Sequence, residues 1–344
     1  MAFQPHPRGG GLVEDTAYVE STVHVSKYAI VRDNARVLGD AAIGDYALVH
    51  ENALVSGNAW IHDRARVSGS AHVSESAEVF GAAHVTGNAY ISGKAKVFDQ
   101  SQIEERSTVS DNAQVFGSAT ISGSAKISDS ARVFGNAFVG GNAQITEYGT
   151  VEGTAGLIEN AKVSGGAEVL GNTRISGNAH IFDRARVYGD ANIYENVQIF
   201  GDAQVYDSAE IMANVKVYGQ ARIFDHPVLC DNAQIYDNAQ VFGESWVNGY
   251  AKIYGNAQVY CNLRSSEISL GDSGDVGEQA QVYEYAHVYG SAMVCGEAQV
   301  YGNAHVFDEA CISGNAEVYG DARVNKKQRL SSGIKLNGLE ETLD

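Results

Sequence analysis

The chain has 344 residues, and its 42 acidic and 24 basic residues give a formal net charge of −18. Such a balance argues against binding to a nucleic-acid backbone, because phosphate contacts require a cationic stripe. The N-terminal residues contain no apolar run typical of a secretory signal peptide, and no stretch is apolar for long enough to predict a transmembrane helix.

The cysteines have no CxxC spacing, and their positions predict free thiols. Cys295 and Cys311 would lie on adjacent coils of the repeat described below, but two positions apart along the strand, which is too far for an unstrained disulfide. Free thiols and the absence of an export signal together predict a cytoplasmic protein. The four cysteines are Cys230, Cys261, Cys295 and Cys311.

Residues 1–16 follow no periodic pattern, so we expect an irregular lead-in or cap that covers the open edge of the first coil. From Ala17 to Asn262 the chain repeats every six residues without a change of phase. Each hexad holds a small residue, a variable residue, an aliphatic residue, a second variable residue and two turn formers, as in residues 77–82, AEVFGA.

This hexad predicts a very short strand followed by a corner. The small and the aliphatic residue are two apart, so they point to the same side of a strand, and the variable residues point to the other side. Gly, Asn, Asp and Ser in the last two positions suit a tight corner, because they tolerate a positive φ or bond their own backbone. A helix would need apolar residues three and four apart, which the pattern never offers. The sequence therefore predicts an all-β solenoid.

The repeat resembles that of the bacterial hexapeptide-repeat family, and the resemblance covers most of the chain. It implies a single-stranded left-handed parallel β-helix with three hexads in each triangular coil. At this period the chain would form about 17 coils. One Ala and one Val or Ile on each side would fill the interior, so we expect any site on an outer face, at a corner or at an end.

Two segments interrupt or leave the repeat, which spans residues 17–324. We interpret residues 263–267, LRSSE, as a corner loop, and the alternative is a truncated strand that moves every later hexad to a different face. Residues 325–344 contain a small basic cluster and scattered apolar residues, which predict a C-terminal cap or a tail that docks a partner.

Residues 18 apart should lie directly above one another. One outward column is aromatic over most of its length, and the corner-loop interpretation continues it into the last coils. The same interpretation continues a neighbouring column as Gln240, Gln258, Gln281 and Gln299. The aromatic residues that we assign to a partner-binding face are Phe80, Phe98, Phe116, Phe134, Tyr188, Tyr206, Phe224, Phe242, Tyr260, Tyr283, Tyr301 and Tyr319.

Two interpretations of this aromatic column remain open. Stacked rings can simply stabilise adjacent strands. A long apolar stripe is also rare on a monomer and is typical of a surface that binds a partner or a second copy of the chain. A different outward column carries hydroxyl residues from Ser56 to Ser164 and changes to aromatic residues from Phe182 to Tyr254.

The resemblance also implies a chemical function, because many hexapeptide-repeat proteins are acyltransferases that use acetyl-CoA or another acyl-CoA. In those enzymes a histidine acts as general base on a hydroxyl or amine. His287 and His305 are 18 apart and should stack, with Arg323 next in the column, so they are the candidates for a base. No group of histidines has the spacing of a metal site, and we therefore expect no bound metal ion.

Two hypotheses about function follow. In the first, the chain is a non-catalytic rigid β-solenoid that acts as a scaffold or binding rod and needs no cofactor. It would bind a protein partner or itself through the aromatic column, as a homo-oligomer. In the second, the chain is a CoA-dependent acyltransferase that acts on a hydroxyl or amine of a sugar or small molecule.

Overall fold

The computed structural model describes residues 2–261, 275–325 and 328–338. Within these ranges the chain forms strands and turns but no helix, and so none that could span a membrane. Within each of the two units named below, parallel strands stack as β-solenoid coils, about 17 in total, which confirms the predicted fold class. The left hand that the resemblance implies stays a prediction. The chain divides into two units, Met1–Gly171 (unit 1) and Asn172–Asp344 (unit 2).

Unit 1 begins with strands Phe3–Pro5 and Leu12–Glu14. Two-residue strands then begin at every sixth residue, from Tyr18–Val19 to Glu168–Val169. Each strand pairs in parallel with the third strand after it, as Trp60 does with Glu78. Three sheets result, and we name each by the residue that begins its first strand in the repeat: sheet 1A from Leu12, sheet 1B from Tyr18 and sheet 1C from His24.

The strand pattern of unit 1 begins before the first clear hexad. Leu12–Glu14 pairs in parallel with the strand at Ile30, so it already belongs to a coil. Phe3–Pro5 pairs with its other edge in the antiparallel direction. This strand satisfies backbone groups that would otherwise stay unpaired at the edge of sheet 1A.

Unit 2 repeats the arrangement, with sheets that begin at Arg174 (2A), His180 (2B) and Arg186 (2C). Two-residue strands begin at every sixth residue from Arg174–Ile175 to Gln234–Ile235. The strands that follow are Gln240–Gly243, Trp246–Val247, Lys252–Ile253, Gln258–Cys261, Asp275–Val276, Gln281–Val282, His287–Tyr289, Met293–Val294, Gln299–Val300, His305–Val306, Cys311–Ile312, Glu317–Tyr319, Arg323–Val324, Arg329–Leu330 and Lys335–Asn337.

The register after the interruption differs from the predicted one. Gln258 pairs with His287, whereas the corner-loop interpretation paired it with Gln281. Gln281 and His287 occupy the same position of successive hexads, so the insertion is one hexad longer than the predicted loop. The corner loop predicted at 263–267 lies outside the described residues. Because the difference equals one whole hexad, the sequence pattern could not distinguish the two registers.

The C-terminal strands extend further than the hexad pattern indicates. Arg329–Leu330 pairs with Cys311–Ile312, and Lys335–Asn337 pairs with Glu317–Tyr319. Gln328 and Ile334 occupy the position that is usually Ala, which hid these two strands from the sequence pattern. A role for residues 325–344 as a cap or a docking tail stays a prediction.

The interior consists of the small and aliphatic positions, whose side chains are fully buried. Where serine replaces the small residue, its hydroxyl donates to a carbonyl three residues earlier, as Ser101 does to Phe98 O at 2.8 Å and Ser245 to Phe242 O at 2.7 Å. These bonds offset the cost of burying a hydroxyl group among apolar atoms.

The corners explain much of the acidic charge. At most corners one residue takes a left-handed conformation, and apart from glycine and Ala213 these residues are all Asp or Glu. Their carboxylates accept the backbone N–H of the corresponding residue one coil later: Glu105 accepts from Gly123 at 2.6 Å, and Asp129 from Glu147 at 3.0 Å. Each bond satisfies a donor that adjacent backbone carbonyls do not reach, and a charged acceptor makes it stronger than a neutral one.

Gly141→Ala should lower the free energy of unfolding by about 1–2 kcal/mol, because φ is +65° and a Cβ would lie 2.6 Å from the backbone N of Glu159. The matched control is Gly156→Ala, since Gly156 is in a strand and a Cβ there meets nothing within 4 Å. Urea denaturation measures both. Equal losses in the two variants would contradict the role assigned to the corner.

Candidate functional site

In unit 1 the predicted aromatic column forms a continuous stack, which we call ladder 1. Its rings are nearly parallel, with centroids 4.7–4.8 Å apart. All four side chains are half-buried, because each ring covers the face of the next. Glu152 and Leu170 follow in the same column and end the aromatic run in this unit. Ladder 1 consists of Phe80, Phe98, Phe116 and Phe134.

The stack of ladder 1 continues to His62, which the sequence column did not single out. The imidazole lies parallel to the Phe80 ring, with centroids 5.0 Å apart, and the Trp60 indole covers its other side at 4.0 Å. His62 Nε2 lies 3.2 Å from Glu78 Oε1, and Lys96 Nζ lies 2.6 Å from Glu78 Oε2. Tight packing and a carboxylate therefore fix the orientation of this ring.

Two corner carboxylates lie beside the same imidazole. His62 Nδ1 is 3.5 Å from Asp63 Oδ1, and the Asp63 N–H donates to Asp45 Oδ2 at 3.3 Å. Within the described residues, Asp45, His62 and Asp63 form a group whose potential ligand atoms all lie within 4.8 Å of one another. Histidine spacing alone did not predict this mixed group. The sequence did carry a signal for it, because Asp45 and Asp63 are 18 residues apart and therefore lie one above the other on adjacent coils.

Unit 2 contains two ladders, both half-buried and both with ring centroids 4.6–5.2 Å apart. Ladder 2 lies where sheet 2C turns into its corner, and ladder 3 lies at the corresponding end of sheet 2B. Ladder 2 consists of Tyr188, Tyr206, Phe224, Phe242, Tyr260, Tyr289 and Phe307. Ladder 3 consists of Phe182, Phe200, Tyr218, Tyr236, Tyr254, Tyr283, Tyr301 and Tyr319.

The predicted continuation of the column beyond Tyr260 was wrong. Tyr260 stacks on Tyr289, whereas Tyr283 stacks on Tyr254. Tyr283, Tyr301 and Tyr319 therefore belong to ladder 3 and not to ladder 2. The Gln column is corrected for the same reason, since Gln281 pairs with Lys252 of sheet 2B. Whether any of these rings binds a partner stays a prediction.

Hydroxyl groups of ladder 3 turn back onto their own sheet. Tyr283 Oη donates to Gln299 Oε1 at 3.1 Å, and Tyr301 Oη donates to Glu317 Oε2 at 3.3 Å. Burial, together with the neighbouring tyrosines of the stack, raises the pKa of Tyr236 and of Tyr283 to about 12. Both phenols therefore stay protonated near neutral pH, and that of Tyr283 donates the bond to Gln299.

The described surface of unit 2 carries grooves on two sheets. A groove of about 360 Å³ on sheet 2C is lined by Asp202, Gln204, Gln220, Arg222, Asn238 and Gln240. A second groove, of about 470 Å³, lies on sheet 2B and is lined by Gln234, Tyr250, Lys252, Gln279 and Gln281.

The groove on sheet 2B begins where an asparagine ladder stops. Asn196 donates to Asn214 at 3.1 Å and Asn214 donates to Asn232 at 3.2 Å, so these amides satisfy one another from coil to coil. Tyr250 takes the next position in the column and is 64% exposed. An exposed ring that breaks a satisfied ladder is not required by the fold.

His287 and His305 stack as predicted, with ring centroids 4.8 Å apart, and His305 pairs with Arg323. Burial lowers the pKa of both imidazoles, and the neighbouring His287 and Arg323 lower that of His305 further. His305 Nδ1 is buried and has no hydrogen-bond partner among the described residues. The pair is therefore neutral near pH 7, but this nitrogen does not face solvent.

None of the four cysteines, all of which lie in the described residues, forms a disulfide, as predicted. Burial raises the pKa of the Cys230 and Cys295 thiols. A raised pKa keeps a thiol protonated and so argues against a role as a nucleophile.

Comparison with known proteins gives one family match. A family model described as YdcK Beta solenoid repeat matches residues 233–249. This segment holds the strands Gln234–Ile235, Gln240–Gly243 and Trp246–Val247, which is about one coil. A search of curated proteins found no match. The match and the structure agree on a β-solenoid repeat.

Lowering the pH from about 7.5 to about 5.5 should destabilise the protein through His287 and His305. Their folded pKa values lie below the unfolded value of 6.5, so the unfolded state binds more protons as the pH falls below 6.5. His305→Asn should reduce the loss of free energy of unfolding over this range, as measured by urea denaturation. A pH dependence as steep as that of the unmodified protein would show that the stack contributes nothing.

Proposed function

We propose that the chain is a non-catalytic β-solenoid scaffold that associates with a second copy of itself along ladder 2. The observation that supports this is the continuous aromatic ladder beside a groove lined with amide and guanidinium groups. Ladder 2 has Phe224 and Phe242 at its centre, whose rings have no polar atom to turn toward their own sheet. The ring edges are partly open to solvent, and this amphipathic surface suits a protein interface.

The groove on sheet 2C favours a second copy as the partner. Gln204, Arg222 and Gln240 follow one another along this groove. The two glutamine amides can both donate and accept hydrogen bonds, whereas the guanidinium group between them can only donate. The carboxylate of Asp202 lines the same groove. A surface that carries both charge signs and amides can pair with a copy of itself about a two-fold axis.

Ladder 3 is the weaker candidate for the same role. Its tyrosine hydroxyls already donate to Gln281, Gln299 and Glu317 of sheet 2B. A partner would have to compete with these bonds. Stacking alone accounts for ladder 3, since parallel rings on adjacent strands stabilise the strand pairs.

The net charge of −18 sets the conditions under which the association should appear. Two copies repel each other at low ionic strength. Added salt screens this repulsion, and at 0.1 M the Debye length is about 10 Å. We therefore expect association to strengthen with added salt, because burial of the aromatic ladder is not weakened by screening.

Sedimentation velocity over a range of protein and salt concentrations should show self-association, and Tyr206→Arg in ladder 2 should abolish it. The matched control is Tyr236→Arg in ladder 3, because both substitutions place a charge in a stack of half-buried rings. A monomer under all conditions, or an oligomer that Tyr236→Arg disrupts and Tyr206→Arg does not, would refute the proposal.

The resemblance to acyltransferases supplies the second candidate function. Stacked, neutral His287 and His305 are compatible with a base, but the buried Nδ1 of His305 is not positioned to accept a proton from a bound substrate. Neither histidine lines either of the two grooves described above. These two observations give no support to an acyl-CoA site beside the histidines, and we derive no catalytic step.

Isothermal titration with acetyl-CoA separates the two functions. We expect no saturable heat, because the two grooves do not contain the candidate bases. Saturable binding that His305→Ala abolishes, while Gln234→Ala in the groove on sheet 2B preserves it, would favour the acyltransferase.

A further inference from the structure

We propose that Asp45, His62 and Asp63 in unit 1 bind one divalent transition-metal ion, such as Zn²⁺ or Co²⁺. The site lies at the corner that follows strand Trp60–Ile61 of sheet 1C. It combines one imidazole nitrogen with two carboxylates, a set of ligands that suits these ions. It includes none of the residues of ladder 2 or of the two grooves of unit 2.

The backbone of the solenoid holds both carboxylates. Asp45 Oδ2 accepts the N–H of Asp63 at 3.3 Å, and Asp63 Oδ2 accepts the N–H of Gly81 at 3.0 Å. These bonds use one oxygen of each group and fix its position. Asp63 Oδ1 then lies 3.5 Å from His62 Nδ1.

Glu78 determines which nitrogen of His62 is available. When Nε2 carries the proton, it donates to Glu78 Oε1 at 3.2 Å, and the lone pair of Nδ1 points toward the two aspartates. The other oxygen of the same carboxylate, Oε2, lies 2.6 Å from Lys96 Nζ, so Glu78 is held in place by a second partner. Metal-binding histidines commonly donate their second nitrogen to such a group.

Packing holds the imidazole in this orientation without the ion. The ring lies between Trp60 and Phe80, and the His62 side chain is only 12% exposed. Gly44 occupies the same column one coil earlier, and a Cβ there would lie 3.0 Å from His62 Cβ and 3.4 Å from Trp60 Nε1. The missing side chain leaves room for the indole. A preformed ring position lowers the entropy cost of binding.

The spacing and charge of the group match one small cation. A separation of 3.5 Å between His62 Nδ1 and Asp63 Oδ1 is close to the edge of a tetrahedron with bonds of about 2.1 Å. The ligand atoms of all three residues lie within 4.8 Å of one another, so a small movement of the Asp45 side chain would bring its oxygen to bonding distance of the same ion. Asp45 and Asp63 are exposed, which leaves open positions for water. Three carboxylates and Lys96 give the surroundings a net charge of −2.

A similar corner provides the internal control. His50 Nδ1 lies 3.8 Å from Asp33 Oδ2 and 3.9 Å from Glu51 Oε1, and Arg32 Nε already lies 3.9 Å from the same Asp33 oxygen. Burial first, and then Arg32, lowers the pKa of His50. A cation beside the acidic pair competes with a metal ion, and we expect no binding there.

Trp60 reports directly on the site, because its ring contacts His62. The chain has two tryptophans, so Trp246→Phe leaves Trp60 as the sole indole fluorophore. In this background, titration with Co²⁺ should quench the fluorescence saturably, and Zn²⁺ should compete for the same site. Calorimetry with Zn²⁺ on the unmodified protein gives the stoichiometry, which should include one site that His62→Gln removes.

Asp63→Asn should weaken Co²⁺ quenching at least about tenfold, and Glu78→Gln, which acts through the ring of His62, should also weaken it by about tenfold or more. His50→Gln should leave it unchanged. Circular dichroism shows whether each variant is folded. If one is not, Asp45→Asn takes its place in the quenching titration, because Asp45 is another proposed ligand. Absence of saturable quenching, quenching that survives His62→Gln, or equal loss with His50→Gln would each overturn the proposal.

Discussion

Parallel backbone pairing of each strand with the strand one coil later is the constraint on which the other features of each unit depend. Every strand has only two residues over most of the chain, so a single coil buries almost nothing by itself. Stacked coils bring the small and aliphatic positions together into a fully buried interior. The same register places like residues directly above one another on the outside. Ladders of Phe, Tyr and Asn are the consequence.

The corners depend on the same register, because a carboxylate at one corner binds a backbone N–H at the same corner one coil later. A left-handed residue leaves its N–H without a carbonyl acceptor, and a carboxylate one coil earlier supplies one, as Asp63 does for Gly81. A large part of the negative charge is therefore structural. The cost is that acids stack on acids, as at Asp45 and Asp63. An ion placed between such groups would relieve their repulsion, which links the proposed metal site to the way the coils are held together.

Departures from the repeat identify the surfaces that the fold does not require. Asparagine amides satisfy one another until Tyr250 breaks their ladder, and phenylalanine rings cover one another until His62 ends theirs. A position that follows the repeat is explained by its neighbours one coil away. Positions that depart from the repeat behave differently: Tyr250 exposes its ring, and His62 directs Nδ1 toward Asp63. The proposed metal site rests on such a departure, whereas the proposed association surface, ladder 2, follows the repeat.

The sequence by itself predicted an all-β solenoid, because a small and an aliphatic residue two apart, followed by turn formers, suit a short strand and a corner. The family resemblance supplied three hexads for each coil, and with that period Phe98 was expected to stack on Phe116 and His287 on His305, since both pairs are 18 apart. Only the tertiary structure decided the register after Cys261, because a shift of one hexad leaves every inward position apolar. That shift moved Tyr283 from one ladder to another. The structure also brought Glu78, His62 and Asp45 together, since side-chain orientation around a corner depends on three-dimensional packing and not on spacing along the chain.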